Sequence, residues 1–118
     1  KRIGHRVISY SEQGQQEESI KIAIMAQFRE LGFVKLLKDP LGVKIDFYTE
    51  IPKSYSKKKR AEHIGKPDPR KPDLDNYIKF YLDVMNALVY KDDSIITSIQ
   101  CTKTFSEEPR TEIEVFLL

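Results

Sequence analysis

The run KPDLDNYIKFYLDVMNALVYKDD, residues 71 to 93, leaves the chain little conformational choice. Its apolar residues Leu74, Ile78, Tyr81, Met85 and Leu88 advance in steps of four and three, the period of one helical face, and Tyr77, Phe80 and Val84 widen that stripe. Asp73 and Asp75 open the pattern, Lys79 and Asp83 follow at four-residue steps, and Asp92 and Asp93 close it. The segment is predicted to be a helix bracketed by carboxylates. Carboxylates from separate stretches, once brought together, make an oxygen-only site for a hard cation such as Mg²⁺, which binds through one or two of them and keeps several waters. A site of that kind suits phosphoryl chemistry.

Around this segment the 118 residues read as one α+β domain spanning 1–118. Residues 1 to 10 mix bases with β-branched residues and suggest an extended arm or short strand. From about Gln15 to Leu37 the spacing of Ile20, Ile24, Phe28 and Leu31 predicts a first helix, with Glu17 and Glu18 early, where the helix dipole favours anions. Val43, Ile45 and Phe47 alternate with Lys44, Asp46 and Tyr48 as a strand with one buried face. Ser94 to Phe105 and Thr111 to Leu118 read as two further strands forming a hairpin. The expected architecture is a small mixed sheet packed against two helices, with a long basic loop between a strand and the second helix.

The net charge of +2 says little, but the charges are unevenly placed. Residues 52 to 72 carry eight bases, Lys53, Lys57, Lys58, Lys59, Arg60, Lys66, Arg70 and Lys71, against two acids, a local net of +6. Glycine and prolines interrupt this stretch, which predicts an exposed loop. Like charges this dense repel one another unless an anion screens them, and phosphate would do so. Arg2 and Arg6 add to the basic set at the start of the chain. Cys101 is the single cysteine, which excludes an intramolecular disulfide and fits a reducing compartment. No apolar run approaches the length of a membrane span, so a cytoplasmic protein without membrane association is expected. The first residue is lysine, and the natural chain is expected to begin earlier.

Each element of the acidic run also has a plainer reading. Asp73 can be a helix N-cap and Asp75 a first-turn acid complementing the dipole. Asp75, Lys79 and Asp83 can form an ion-pair ladder worth a few tenths of a kcal/mol per pair. Asp92 and Asp93 can be a polar turn. The wide apolar stripe fits a homodimer or a helix wholly buried in a monomer. Three other classes compete on these residues. One is a non-catalytic nucleic-acid-binding dimer whose aspartates are caps and ion-pair partners, and another is an interaction module using the apolar helix. The third is an aspartate-nucleophile phosphatase, against which the Arg70-Lys71-Pro72 lead-in counts, since that motif ends a buried strand.

Taken together, KPDLDN, then Lys79, then YKDD before a strand, preceded by the loop IPKSYSKKKRAEH, resembles the RusA-type Holliday junction resolvases of Gram-positive bacteria and their phages. The resemblance implies a homodimeric, Mg²⁺-dependent endonuclease, with Mn²⁺ as a possible substitute, that nicks two strands of a four-way DNA junction symmetrically. By that resemblance Asp73, Asp75 and Asp93 are the essential metal-binding acids and Lys79 the essential lysine, with Asp92 a weaker candidate. The basic residues listed above would contact DNA phosphates. It also implies a role in recombination and repair in a bacterial cytoplasm, with a prophage origin possible, and a leading family strand missing from this chain.

Helix length raises one geometric question. A helix from Asp75 to Val89 would be about 22 Å long at 1.5 Å per residue, leaving Asp93 near its far end. An intrachain site would then be strained. Antiparallel pairing of the helix with its twofold mate would place Asp93 of one subunit beside Asp73 and Asp75 of the other, giving a composite site.

Overall fold

The computed structural model describes residues 6–10, 17–30, 37–86 and 88–118. Strands β1 (Arg6–Tyr10), β2 (Leu41–Glu50), β3 (Ile96–Ser106) and β4 (Arg110–Leu117) form one sheet in the order β1-β4-β2-β3. β4 runs antiparallel to both its neighbours, and β2 and β3 are parallel. The helices are α1 (Glu17–Glu30), α2 (Lys57–His63) and α3 (Leu74–Met85). This is the expected α+β class with a mixed sheet, and two of its helices build the core.

The period-two pattern of β2 explains its central place. Leu41, Val43, Ile45 and Phe47 are buried on one face, while Lys44, Asp46 and Tyr48 lie on the other, partly exposed. Ile113 and Val115 of β4 extend the apolar face. Onto it pack Ile20, Ile24 and Phe28, one stripe of α1, and Tyr81, Val84 and Met85 of α3. Tyr77 and Phe80, which widen the predicted stripe, pack at the margin of this same core with Ile78 and Leu82, and Val84 lies inside it. The opposite sheet face is polar. Thr102 donates to Asp46 at 2.6 Å, Arg110 pairs with Glu112 at 2.8 Å, and the Arg110 guanidinium lies 3.9 Å from the centre of the Tyr48 ring. On that face the Phe116 ring crosses Gly42, where a Cβ would fall 2.3 Å from a ring carbon, so the position has no room for a side chain.

Three expectations need correction. β3 and β4 are not hairpin partners, because β2 lies between them and pairs with both. Each of the two strands can border β2 and cover its polar groups, a three-strand solution that local patterning cannot encode. The basic stretch is not loop throughout: Lys57–His63 form α2, started by the Ser56 hydroxyl, which accepts a hydrogen bond from the Lys59 amide at 3.1 Å. α3 ends at Met85 rather than near Val89, and Asn86 leaves helical geometry there. For α1, the predicted span beyond Glu17–Glu30 lies outside the described residues.

The rest of the basic stretch is fastened to the outer edge of β3. The Gly65 amide donates to Phe105 O, Phe105 N to Lys66 O, and Asp68 N to Lys103 O, at 3.0, 3.0 and 2.9 Å. Main-chain pairing of this kind also shields an otherwise open sheet edge. Asp68 locks the attachment. Its buried carboxylate receives Arg70 through Nε and Nη2, both at 2.9 Å, the Arg70 amide at 2.9 Å, and the Thr49 hydroxyl at 2.6 Å. Burial alone would push this carboxyl up, but the hydrogen bonds from Arg70 and Thr49 outweigh it and hold the group at about 2, against an ordinary 3.8.

A carboxyl held below its ordinary value stabilises the fold above that value, and the contribution disappears as pH falls through the folded-state value. Asp68→Asn should therefore cost roughly 2 kcal/mol at pH 7, read by urea unfolding, and should flatten the stability loss of the wild-type chain between about pH 4 and pH 2. Gly42→Ala should cost about 1–3 kcal/mol by overpacking against Phe116. The double substitution Gly42→Ala/Phe116→Ala should be less destabilised than the sum of the two single changes.

Candidate functional site

Asp73 occupies the N-cap position of α3, with extended backbone at φ −66° and ψ 149°, yet its side chain makes no capping hydrogen bond. Its main-chain carbonyl begins the helix by accepting from Asn76 N and Tyr77 N. The carboxylate instead meets Lys71 Nζ at 2.9 Å and stays about half exposed. The cap reading thus holds for the backbone, while the carboxylate keeps oxygen sites open to solvent.

One face of α3 carries Asp75, Ile78, Lys79, Leu82 and Asp83, which, together with Asp93, line a single open cavity of about 300 Å³. The ion-pair ladder expected along this face does not form: among the described residues, Lys79 closes on neither Asp75 nor Asp83. Lysine and carboxylates face a shared concavity instead.

Asp93 reaches this cavity within its own chain because the chain turns back at the C-terminal end of α3. Asn86 and Tyr90 form a bridge, Val89 N donates to Met85 O at 2.9 Å, and Leu37 pairs with Tyr90. Tyr90 fixes the reversal. Its ring is fully buried, and its hydroxyl donates to Leu82 O in the last turn of α3 at 2.7 Å. Burial pushes the phenol well above its ordinary range, and the carboxylates of Asp93, Asp83 and Asp92 push it further in the same direction. The premise of a 22 Å separation between Asp75 and Asp93 is thereby replaced by a shorter helix with a return segment lying along it.

The adjacent aspartates have different tasks. Asp92 caps the short 3-10 turn Asp93–Ile95, accepting from Ser94 N at 3.2 Å, and the bonds from Ser94 lower its carboxyl. Its orientation is set by that turn, and Asp93 is the one that lines the cavity.

The acids expected to bind a metal are brought only partly together. Asp75 and Asp93 line one cavity, and Asp73, half a turn before Asp75, is not among the residues that line it. Among the described residues no three acidic, histidine or cysteine side chains are already drawn together as a closed cage.

The basic residues divide by what they touch. Arg70 is occupied by Asp68 and Glu50 O and lies 4.8 Å from the centre of the Phe105 ring, and Arg60 donates to Ile51 O and Pro52 O. Lys59 sits 4.1 Å from the centre of the Tyr55 ring, and Tyr55 packs on His63, whose other neighbour is Phe105. Lys53, Lys57, Lys58 and Lys66 are exposed, and Lys71 is exposed beside Asp73. Arg6 begins β1 opposite Val115, and Arg2 lies outside the described residues.

Sequence reasoning missed Tyr90 and Lys103. Lys103 donates to the carbonyl oxygens of Arg70 and Pro72 and lines a second cavity of about 300 Å³ with Lys71, Tyr77 and Tyr48. A signal for it existed: residues 99, 101, 103 and 105 share one face of β3, and a lysine among Ile99, Cys101 and Phe105 breaks an otherwise apolar series.

Comparison with known proteins follows the same residues. The family model described as endodeoxyribonuclease RusA matches residues 2–116. The chain is 30% identical over 116 residues, 98% of its length and 82% of the relative's, to the crossover junction endodeoxyribonuclease rusA of Lactococcus phage r1t. It is 38% identical over 84 residues, 68% of its own length, to the uncharacterized protein YqaN of Bacillus subtilis (strain 168), of whose length the match covers 59%. Among the described residues no helix is long and apolar enough to cross a membrane. With a family match running almost from end to end, the chain belongs to the RusA endodeoxyribonuclease family.

Proposed function

We propose that this chain is a structure-selective DNA endonuclease that resolves four-way junctions by paired, symmetric, Mg²⁺-dependent nicks, acting as a homodimer with one site per subunit. The observation that carries the reading is the meeting of Asp75, Lys79 and Asp93 at one solvent-open cavity, reached only because the chain doubles back along α3. Family membership supplies the class of reaction, and the relative from the Lactococcus phage bears a crossover junction endodeoxyribonuclease name.

Asp75 and Asp93 would hold the metal, with Asp73 turning its half-exposed carboxylate toward the same ion. Such a cation would supply Lewis-acid activation of the phosphodiester and of the attacking water. Lys79, on the wall of the cavity, stabilises the negative charge that grows on the phosphoryl oxygens. Lys53, Lys57, Lys58 and Lys66 point their charges outward and contact backbone phosphates without reading sequence. The reaction adds water across one P–O bond on each of two strands, and the twofold symmetry of a dimer matches the symmetry of the junction. Localisation in a bacterial cytoplasm, where recombination intermediates form, follows from this reading.

The direct test incubates the protein with a synthetic four-way junction and with linear duplex, each with Mg²⁺, with Mn²⁺ and with chelator. Paired nicks near the junction centre that need the metal are expected, and binding without cleavage would overturn the proposal. Asp75→Asn and Asp93→Asn should each lower nicking by on the order of 10²-fold or more while leaving junction binding in chelator intact. Lys57→Ala/Lys58→Ala should weaken binding to all DNA forms alike and lower its salt dependence. Mixing Asp75→Asn subunits with Asp93→Asn subunits distinguishes the two site arrangements. Verified heterodimers should stay inactive if each chain builds its own site, whereas recovered nicking would show a site shared between subunits.

A further inference from the structure

We propose that Lys103 is a positioning residue for Asp73, holding the main chain from which that carboxylate projects. The proposal rests on the nuclease reading above. Lys103 lies on β3 directly beside Phe47 of β2, on the sheet face that carries the helices. Its Nζ donates to Arg70 O and to Pro72 O, the latter at 2.7 Å, and lies 6.0 Å from the centre of the Tyr77 ring in the first turn of α3.

The segment itself offers these two carbonyls few donors. The segment from Pro69 to Pro72 contains two residues without an N–H, and the Arg70 amide is already given to Asp68. The segment therefore has few means of making a hydrogen-bonded turn of its own. An ammonium with three donors can hold both at once.

The consequence falls on Asp73. Pro72 O belongs to the peptide plane that delivers the Asp73 nitrogen, so the bond from Lys103 sets the direction in which Asp73 leaves the chain. Little else does. The Asp73 carboxylate makes no capping bond, and its partner Lys71 is 85% exposed, a surface pair of small worth. Asp75, by contrast, is placed by the helix itself. Lys103 also spans the two halves of the site's frame, since its own carbonyl receives Asp68 N in the edge pairing that holds the basic stretch. The ammonium thus couples the β3 edge to the entry of α3 at the residue where a ligand must be aimed.

Lys103→Met keeps the length and packing of the stem and removes the donors. It should leave the chain folded, lower nicking of the four-way junction by roughly 10–100-fold, and raise the Mg²⁺ concentration giving half-maximal nicking, as loss of a ligand-orienting partner does. Without nicking as a readout, the rise in melting temperature on adding Mg²⁺ should shrink by comparison with the wild-type chain. Junction affinity in chelator and its salt dependence should stay as in the wild type, because no phosphate contact has been removed. Lys103→Arg, which can again donate to both carbonyls, should restore much of the nicking. Unchanged nicking and metal response in Lys103→Met would overturn the inference, and so would a salt slope lower by about one, the mark of a lost phosphate contact. A lower melting temperature with full nicking would assign Lys103 to stability alone and overturn it too. Should Lys103→Met not fold, Lys103→Leu, apolar and without a donor, takes its place: full nicking at wild-type Mg²⁺ by that variant overturns the inference, and a raised Mg²⁺ requirement supports it. Wild-type protein in the same assay keeps the two ideas apart, since absence of nicking there would reject the nuclease reading itself.

Discussion

Phe47 is the contact on which the placement of the site depends. It is fully buried near the C-terminal end of the central strand, and α3 rests two rings on it, Tyr77 stacked at 4.8 Å and Tyr81 tilted at 5.4 Å between ring centres. Aromatic pairs in such offset geometries add specificity to the burial they already provide. Two contacts one helical turn apart fix both the height and the rotation of α3, and that rotation turns Asp75 and Lys79 away from the core toward the return segment. The sheet beneath is held by β2 pairing on both edges, so the platform is the least deformable part of the fold.

Against this platform the basic stretch looks less like a flexible arm than a fitted edge. A dense run of cations would repel itself if all of it faced water, but several of its bases are turned inward. Arg70 is clasped by Asp68, Arg60 is tied to two carbonyls, and Lys59 lies on Tyr55. Lys103 joins them from β3. The inward set gives the stretch a shape; the exposed lysines at 53, 57, 58 and 66 leave it a charge. In the proposed reaction the second group meets the DNA backbone.

Legibility followed the range of the interaction. The stripe Ile20, Ile24, Phe28 and the alternation Val43, Ile45, Phe47 were readable because burial on one face imposes a period on neighbouring residues. The start of α3 was readable from Asp73 and the apolar series after it. Its end was not, because Tyr90, five residues past the end of α3, also donates to Leu82 O and draws the chain back. α2 was hidden for a related reason: it buries no residue, so no apolar period announces it, and it is held by Ser56 at one end and by His63 between Tyr55 and Phe105 at the other. The hairpin expectation failed because strand neighbours in sequence need not be neighbours in a sheet, and β2 had two apolar-compatible edges to fill.

By itself the sequence determined the α+β class, the helix that carries Asp75 and Lys79, and the concentration of positive charge before it. Those properties reside in side-chain identity and local period, which no partner has to supply. Only the tertiary structure decided that Asp93 lies along its own helix rather than 22 Å away, that the ion-pair ladder stays open around a cavity, and that Lys103 holds the entry to α3. Each depends on a hydrogen bond or packing contact between residues far apart in the chain. Such contacts carry free energy only once the sheet has brought them together, and they leave no periodic trace in the sequence beforehand.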